Sequence, residues 1–216
     1  EGETLPTEEE LLAMYNNANA MEVEPYQEEV FDGPIVPELP KPGTVKKETT
    51  NETFGTTEWT LSNGMKVIYK QTDFKEDEIR MSAYSPGGLT ALPQDDPYTL
   101  QVLGDIITLG GVGEFSAIDL PKVLAGKKVS VSPYISTYSE GMSGSCSPKD
   151  LETMLQLVYL YFTAPRADQE AFQSEIQRTQ AMLKNMELNP MITLSDSLTK
   201  GMYNNHPLRM RMKVED

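Results

Sequence analysis

Residues that commonly carry chemistry are scarce in this sequence: its 216 residues include one cysteine, one histidine and one tryptophan. A single cysteine, Cys146, excludes an internal disulfide and a cysteine-based metal centre, and we interpret it as a small core residue. The single histidine, His206, stands before a proline near the end of the sequence. A zinc site usually takes three or four ligands with histidine among them, and a Ser–His–Asp triad needs a histidine beside its serine. We therefore assign no catalytic or metal-ligating residue to this chain, and its substrate-binding residues are unknown from sequence.

Positive charge is also in short supply. The chain has 18 lysines and arginines against 33 aspartates and glutamates, a net charge of −15. Residues 1–58 hold 14 of the acidic and 3 of the basic side chains, so most of the excess lies there. A nucleic-acid-binding protein needs a basic face that displaces counterions. Because acidic side chains outnumber basic ones here, we expect no nucleic-acid partner.

Long apolar runs are missing as well. No apolar stretch reaches about 18 residues, the length that a membrane helix needs, so we expect no membrane span. The sequence opens on an acidic, polar stretch rather than on the basic region of a signal peptide, so we expect no such peptide. The compartment is therefore not readable from this end of the sequence.

Two segments differ in character and predict a boundary near residue 57. In residues 1–56, Thr7 and the three glutamates after it predict a helix that runs to about Ala20. The remainder of this segment predicts an extended interdomain strap, because proline recurs at Pro25, Pro34, Pro37, Pro40 and Pro42. Residues 57–216 have the periodic apolar pattern of a folded domain.

The domain pattern predicts an α+β fold. Two alternating runs around Asn63-Gly64 predict a hairpin with a type I′ turn. A strand follows at "EIRMSAYSPGG", and a strand pair is predicted at "KKVSVSPYIST" and "EGMSGSCS". Helices are predicted at Asp95–Leu109, from Ser116, from Ser147-Pro148, over Asp168–Glu187, and from Asn189-Pro190 to about Tyr203. Because strands and helices are partly segregated, we expect an antiparallel or mixed sheet with helices packed on one face.

The glycine cluster Gly110–Gly113 invites a phosphate-loop interpretation, but its spacing does not fit. A Walker loop needs GxxxxGK[ST] after a strand, and the dinucleotide fingerprint needs a third glycine that "GGVGEF" lacks. We instead predict that Gly110 ends one helix in the left-handed conformation and that Ser116 begins the next.

Three segments in this order carry a resemblance to a known family: "WTLSNGMKVIYKQTDFKEDEIRMSAYSPGGLTAL", "GGVGEFSAIDLPKVLAGKKVSVSPYIS" and "SPKDLETMLQLVYLYFTAPRADQEAFQ". The chain from about Thr57 to Met212 resembles the pitrilysin/insulinase-type zinc metallopeptidases. It is most similar to the first subdomain of the C-terminal half of a long bacterial member. The resemblance implies an α/β roll of the metalloprocessing-peptidase type. It also implies that the proline-rich stretch is the strap between the two halves of such a protein.

The family's inverted zinc motif, His-x-x-Glu-His, would fall near Leu100–Asp105, where this sequence reads "LQVLGD". The motif has no histidine here, and Glu170 and Glu175 lie where the third ligand of a catalytic copy would be. The resemblance therefore implies a non-catalytic copy, with zinc expected in another subdomain of the intact protein. We do not transfer the ligand role to either glutamate.

The implied role is that of a chamber wall in a zinc metalloendopeptidase that acts on peptides or unfolded proteins. The implied partners are the N-terminal catalytic half, in the same or a partner chain, and a peptide substrate. The alternative is an inactive partner subunit, or a peptide-binding module without proteolytic activity. The bacterial character of the resemblance favours a periplasmic location, with the cytoplasm as the alternative.

Overall fold

The structure is a computed structural model that describes residues 6–23, 33–93 and 97–216. The chain forms two units, Glu1–Asp32 and Gly33–Asp216. The described part of the first unit contains helix α1, Glu8–Ala20. Its capping box is complete, because the Thr7 side chain accepts a hydrogen bond from Glu10 N and the Glu10 carboxylate accepts one from Thr7 N at 2.8 Å. The predicted first helix is therefore confirmed.

The described part of the second unit contains six strands and five α-helices. The strands are β1 Val45–Asn51, β2 Thr56–Leu61, β3 Lys66–Tyr69, β4 Ile79–Pro86, β5 Val129–Ile135 and β6 Ser139–Cys146. The helices are α2 Pro97–Ile106, α3 Asp119–Val123, α4 Leu151–Thr163, α5 Gln169–Glu187 and α6 Pro190–Met202. Short 3₁₀ turns occur at Gly88–Ala91, Pro148–Asp150 and Pro207–Arg209.

The strands form two antiparallel three-stranded sheets, ordered β1-β2-β3 and β4-β6-β5. The α+β class is confirmed, and the described strand pairs are antiparallel rather than mixed. Helix α2 begins at Pro97, and the predicted start at Asp95 lies outside the described residues. Strand β1 lies inside the segment that the sequence assigns to the strap, and the boundary at residue 57 stays a prediction.

The predicted hairpin is confirmed, but its predicted turn type is wrong. Leu61 N donates to Met65 O at 2.8 Å, and Gly64 N donates to Leu61 O at 2.9 Å. Gly64 has φ +88°, whereas Asn63 has no positive φ. A type I′ turn needs two positive φ angles, so the connection is instead a three-residue loop that ends in a left-handed glycine. The Asn63 side chain supports it by accepting a hydrogen bond from Met65 N at 3.0 Å.

Helix α4 contributes three of the buried apolar side chains, Met154, Leu157 and Leu160, more than any other helix or strand that the structure describes. It packs against β5 and β6 of the second sheet, and its side chains Met154 and Leu157 are almost fully buried. One buried cluster joins this helix to the loop after α2 and to the proline-rich segment after Gly33, through Ile35, Val36, Val112, Phe115, Leu157 and Leu160. Because burial of each large apolar side chain contributes about 1.5–3 kcal/mol, this cluster anchors that segment.

In the glycine cluster after α2, the backbone passes close to the backbone around Arg166. Gly111 has φ +88°, whereas Gly110 has no positive φ, so the predicted left-handed conformation at Gly110 is wrong. A Cβ at Gly110 would lie 2.0 Å from the carbonyl oxygen of Arg166. Gly110 is needed because another segment passes against its backbone, and nothing in the sequence pattern of the loop itself reveals that approach.

The sequence predicts a helix start at Ser147-Pro148; the structure has a 3₁₀ turn at Pro148–Asp150, and α4 begins at Leu151, where the buried carboxylate of Asp150 fixes its start. Asp150 is 6% exposed, and its carboxylate accepts hydrogen bonds from Ser147 Oγ at 2.6 Å and Lys128 N at 2.9 Å. The hydrogen bond from Ser147, followed by the one from Lys128 N, holds the pKa of Asp150 below its usual range. The interaction joins the beginning of α4 to the residue before β5, so it positions the core helix on its sheet.

We expect Asp150→Asn to destabilise the fold at neutral pH and to flatten its pH dependence. A lowered folded-state pKa means that the carboxylate stabilises the fold above its unfolded pKa of about 3.9, and that this contribution is lost as pH falls through the folded-state pKa. Urea denaturation of the wild type and the variant between about pH 6 and pH 2 measures this difference. Asp73→Asn, at an exposed position, is the matched control. Parallel pH profiles for Asp150→Asn and the wild type would contradict the assignment.

We expect Gly64→Val to destabilise the fold by about 1–3 kcal/mol, because a β-branched residue resists positive φ. No atom lies within 4 Å of a Cβ built at this position, so the loss comes from the backbone and not from a clash. Gly64→Asn should cost less, since asparagine tolerates the left-handed region. Thermal denaturation of the two variants decides the point, and equal melting temperatures would show that the φ of Gly64 is unimportant.

Candidate functional site

Helices α2 and α5 meet at a cleft beside strand β5. The cleft has a volume of about 410 Å³ and is lined by Gly104, Asp105, Thr108, Leu109, Ser132, Pro133, Glu175 and Arg178. The resemblance implied that the helix of the zinc motif would face the helix of the third ligand. The structure brings those two helices together at this cleft, with Asp105 on one side and Glu175 on the other.

The residues at which the resemblance would place the zinc motif have other contacts. Leu100 is buried, and Gln101 donates a hydrogen bond from Nε2 to Met210 O at 2.7 Å. Gly104 faces β5, where a Cβ would lie 3.6 Å from Ile135 Cγ2. These positions therefore hold α2 against its neighbours.

An ion pair occupies the α5 side of the cleft. Arg178 Nη2 donates to the two carboxylate oxygens of Glu175 at 2.7 and 2.6 Å, and Arg178 Nε donates to Oε2 at 3.0 Å. Thr179 Oγ1 adds a contact to Glu175 at 3.3 Å. The Arg178 guanidinium holds the pKa of Glu175 below its usual range, and Glu175 raises the pKa of Arg178. The carboxylate is therefore neutralised by a neighbouring cation whose own side chain is largely exposed, and a metal would have to displace that cation.

The remaining candidates from the sequence do not join this cleft. Glu170 is exposed in the first turn of α5 and does not line the cleft. His206 is exposed before the 3₁₀ turn Pro207–Arg209. Cys146 is buried at the end of β6, where burial raises the pKa of its thiol.

The described residues do not fit a zinc ion. Within residues 6–23, 33–93 and 97–216, no group of three His, Cys, Asp or Glu side chains is placed to hold a metal. At the cleft itself the donor set is two carboxylates, one of them bound to arginine. The sequence analysis did not single out Arg178, although its spacing of three residues from Glu175 on a predicted helix is a recognised ion-pair signal.

A larger cleft of about 1050 Å³ lies between α6 and the residues after it. Its centre is the pair Arg211–Asp196, with Nη2 and Oδ2 at 2.8 Å, and this contact raises the pKa of Arg211. Gln101 of α2 also lines it. Its lining is mostly polar and charged, and it combines no nucleophile with a histidine base.

Comparison with known proteins relates this fold to zinc proteases. No family model matches the chain. Over 159 residues, 72% of this chain, it is 36% identical to a "Zinc protease PQQL-like" of Arabidopsis thaliana. Over 131 residues it is 28% identical to a "Probable zinc protease PqqL" of Haemophilus influenzae. Each match covers 14% of the relative, so the chain spans a small part of the length of these proteins.

Solved structures share the fold. The periplasmic protease PqqL from Escherichia coli superposes with a TM-score of 0.73 at 18% identity, over 97% of this chain and 23% of that one. A mutant of the ferredoxin protease FusC, in complex with Arabidopsis ferredoxin, gives a TM-score of 0.70 at 19% identity, over 99% of this chain and 24% of that one. In the part of the chain that the structure describes, no helix is long and apolar enough to cross a membrane. The sequence matches, with the fold beside them, show that this chain belongs to the pitrilysin/insulinase-type zinc metallopeptidase family.

Proposed function

We infer that this chain is a non-catalytic subdomain of a larger zinc metalloendopeptidase, in which it forms part of the chamber wall. The proposal is supported by the short span of the match, 14% of each curated relative, which leaves most of such a protein to other domains. The chain would correspond to the first subdomain of the C-terminal half. Residues 1–56 would be the strap and residues 57–216 the peptidase-like roll.

The observation that carries the proposal is the cleft between α2 and α5. Its position corresponds to the zinc centre that the family places on these two helices. Here the motif reads "LQVLGD", and Glu175 is bound by Arg178. A catalytic zinc of this family would require neutral imidazoles beside its carboxylate ligand, and the residues that line this cleft include no imidazole.

The expected contribution of such a wall is to hold a substrate. Enclosure orients an unfolded peptide against a reactive centre and keeps bulk water away, which lowers the barrier without any bond chemistry in the wall. Zinc would belong to the N-terminal catalytic half. The location would be periplasmic, as it is for the PqqL whose fold this chain shares.

The 216-residue chain should bind no stoichiometric zinc and should not hydrolyse an unstructured casein-derived peptide, because no metal-activated water is available. Elemental analysis after dialysis and a peptidase assay with and without chelator measure the two outcomes. Retention of about one zinc per chain, or chelator-sensitive cleavage, would contradict the non-catalytic assignment.

A designed variant sharpens this test. Gln101→His, Gly104→Glu and Asp105→His together should still give no peptidase activity, because Arg178 keeps Glu175 engaged. The same triple variant with Arg178→Ala should bind zinc more tightly than the triple variant alone, which calorimetric titration can measure. Equal zinc affinities would show that the ion pair does not block the site.

The wall role itself is tested in the longer polypeptide. Deletion of residues 57–216 should remove most peptidase activity, and addition of the separate chain should restore part of it. Full activity after the deletion would overturn the wall role. Lack of activity in the complete protein would favour the alternative of an inactive partner subunit.

A further inference from the structure

The sheet β4-β6-β5 has two faces of different chemistry. On the inner face, Met81, Met142 and Val131 point toward the core, and a Cβ at Gly144 would meet Met154 of α4 at 3.2 Å. The outer face carries the alternate residues of each strand and is exposed on β4 and β5. A depression of about 480 Å³ lies over it.

The outer face is built from rows of hydroxyl groups. The strand registers align Ser82 with Ser143 and Ser143 with Ser132. In the next row, Ser130 pairs with Ser145, and their hydroxyl oxygens are 3.1 Å apart. On β4 this second row continues with Arg80, whose charge is neutralised by Glu78 at 2.9 Å. The strand residues of these rows therefore expose hydrogen-bond donors and acceptors and no large aliphatic side chain.

Two tyrosines, Tyr84 and Tyr134, lie at one end of the same face. Gly141 is paired with Tyr84 on one side and with Tyr134 on the other. Tyr134 reaches across the sheet and donates a hydrogen bond from its hydroxyl to Ala83 O at 3.3 Å. A Cβ at Gly141 would lie 2.0 Å from Ala83 O and 2.8 Å from that hydroxyl, so the glycine makes room first for the backbone of β4 and then for the tyrosine hydroxyl. Tyr84 is 70% exposed and needs no contact for the fold.

The face continues into the cleft between α2 and α5. Ser132 lines both the depression over the sheet and that cleft. In the cleft, Arg178 is ion-paired with Glu175 and also interacts electrostatically with Asp105, which is exposed and forms no ion pair of its own among the described residues. The far end of the surface therefore carries two carboxylates against one arginine, a net negative charge.

This composition fits a polypeptide segment better than a folded partner. The buried cores of interfaces between folded proteins are apolar, and this face has no apolar centre. Serine offers adaptable hydrogen bonds, and tyrosine offers large, rigid contact area at low entropic cost, the combination that antibody loops use for varied ligands. The charge at Asp105 adds a preference for a basic group.

We propose that the serine–tyrosine face, defined as Ser82, Tyr84, Ser130, Ser132, Tyr134 and Ser143, binds an extended polypeptide segment whose basic side chain or amino terminus lies beside Asp105. The proposal rests on the chamber-wall function, because it assigns the part of the wall that touches the substrate. The peptide lies across hydroxyl rows without apolar anchoring, so it is held weakly and can be replaced by another sequence.

Binding of two labelled peptides to the 216-residue chain tests this proposal. One is an unstructured glycine–serine–lysine peptide, and the other has glutamate in place of each lysine. Fluorescence anisotropy should show tighter binding of the lysine peptide, and backbone amide shifts should change on β4, β5, β6 and the end of α2. Tyr84→Ala should weaken binding about 5-fold, the effect of losing one exposed tyrosine contact, and Tyr15→Ala should not.

Asp105→Asn should remove most of the preference for the lysine peptide, whereas Asp73→Asn, at another exposed position, should leave it unchanged. Circular dichroism confirms that each variant folds. Absence of binding, shifts confined to other elements, equal effects of Tyr84→Ala and Tyr15→Ala, or equal affinity for the two peptides would each overturn the proposal. If the longer enzyme still required residues 57–216 after such a result, the wall role would stand and only the peptide site would fall.

Discussion

The packing of α4 on the sheet β4-β6-β5 is the contact on which the rest of the second unit depends. Met154 and Leu157 are almost fully buried there, and truncation of such a side chain to alanine typically costs about 2–5 kcal/mol. Asp150 fixes where this helix begins by binding the backbone before β5. The loop after α2 and the proline-rich segment after Gly33 then complete the same apolar cluster.

None of the six buried residues of this cluster lines the α2–α5 cleft, so the chemistry of the cleft can change while the core packing stays the same. Leu100 and Gln101 hold α2 through a buried contact and a hydrogen bond, neither of which needs a metal. Arg178 neutralises Glu175 and lowers the pKa of its carboxyl. The fold around this cleft is therefore physically self-consistent without a bound metal.

Local signals made much of this fold predictable. The capping box at Thr7 and the alternation around Asn63-Gly64 depend on nearby residues, and both elements are confirmed. The turn type was missed because Asn-Gly also fits a loop in which only the glycine is left-handed. Strand β1 was missed because its sequence, VKKETTN, is exposed throughout and shows no apolar alternation.

Long-range relations set the limit of the sequence prediction. The role of Gly110 depends on Arg166, more than fifty residues away, and no pattern within the loop carries that information. The candidate cleft was located through the resemblance, whereas the Glu175–Arg178 pair could have been found from helical spacing alone. The serine–tyrosine face became visible only when strand register aligned residues from three separate segments.

The burial of Cys146 has a practical consequence for solution work. Its sulfur lies at the end of β6 with 4% exposure, and burial raises the pKa of the thiol. Thiolate is the reactive form, so the native protein is a poor target for alkylating reagents until β6 opens. Since no other cysteine is present, the alkylation rate of the unmodified chain reports the opening of the central strand of this sheet, without an introduced label.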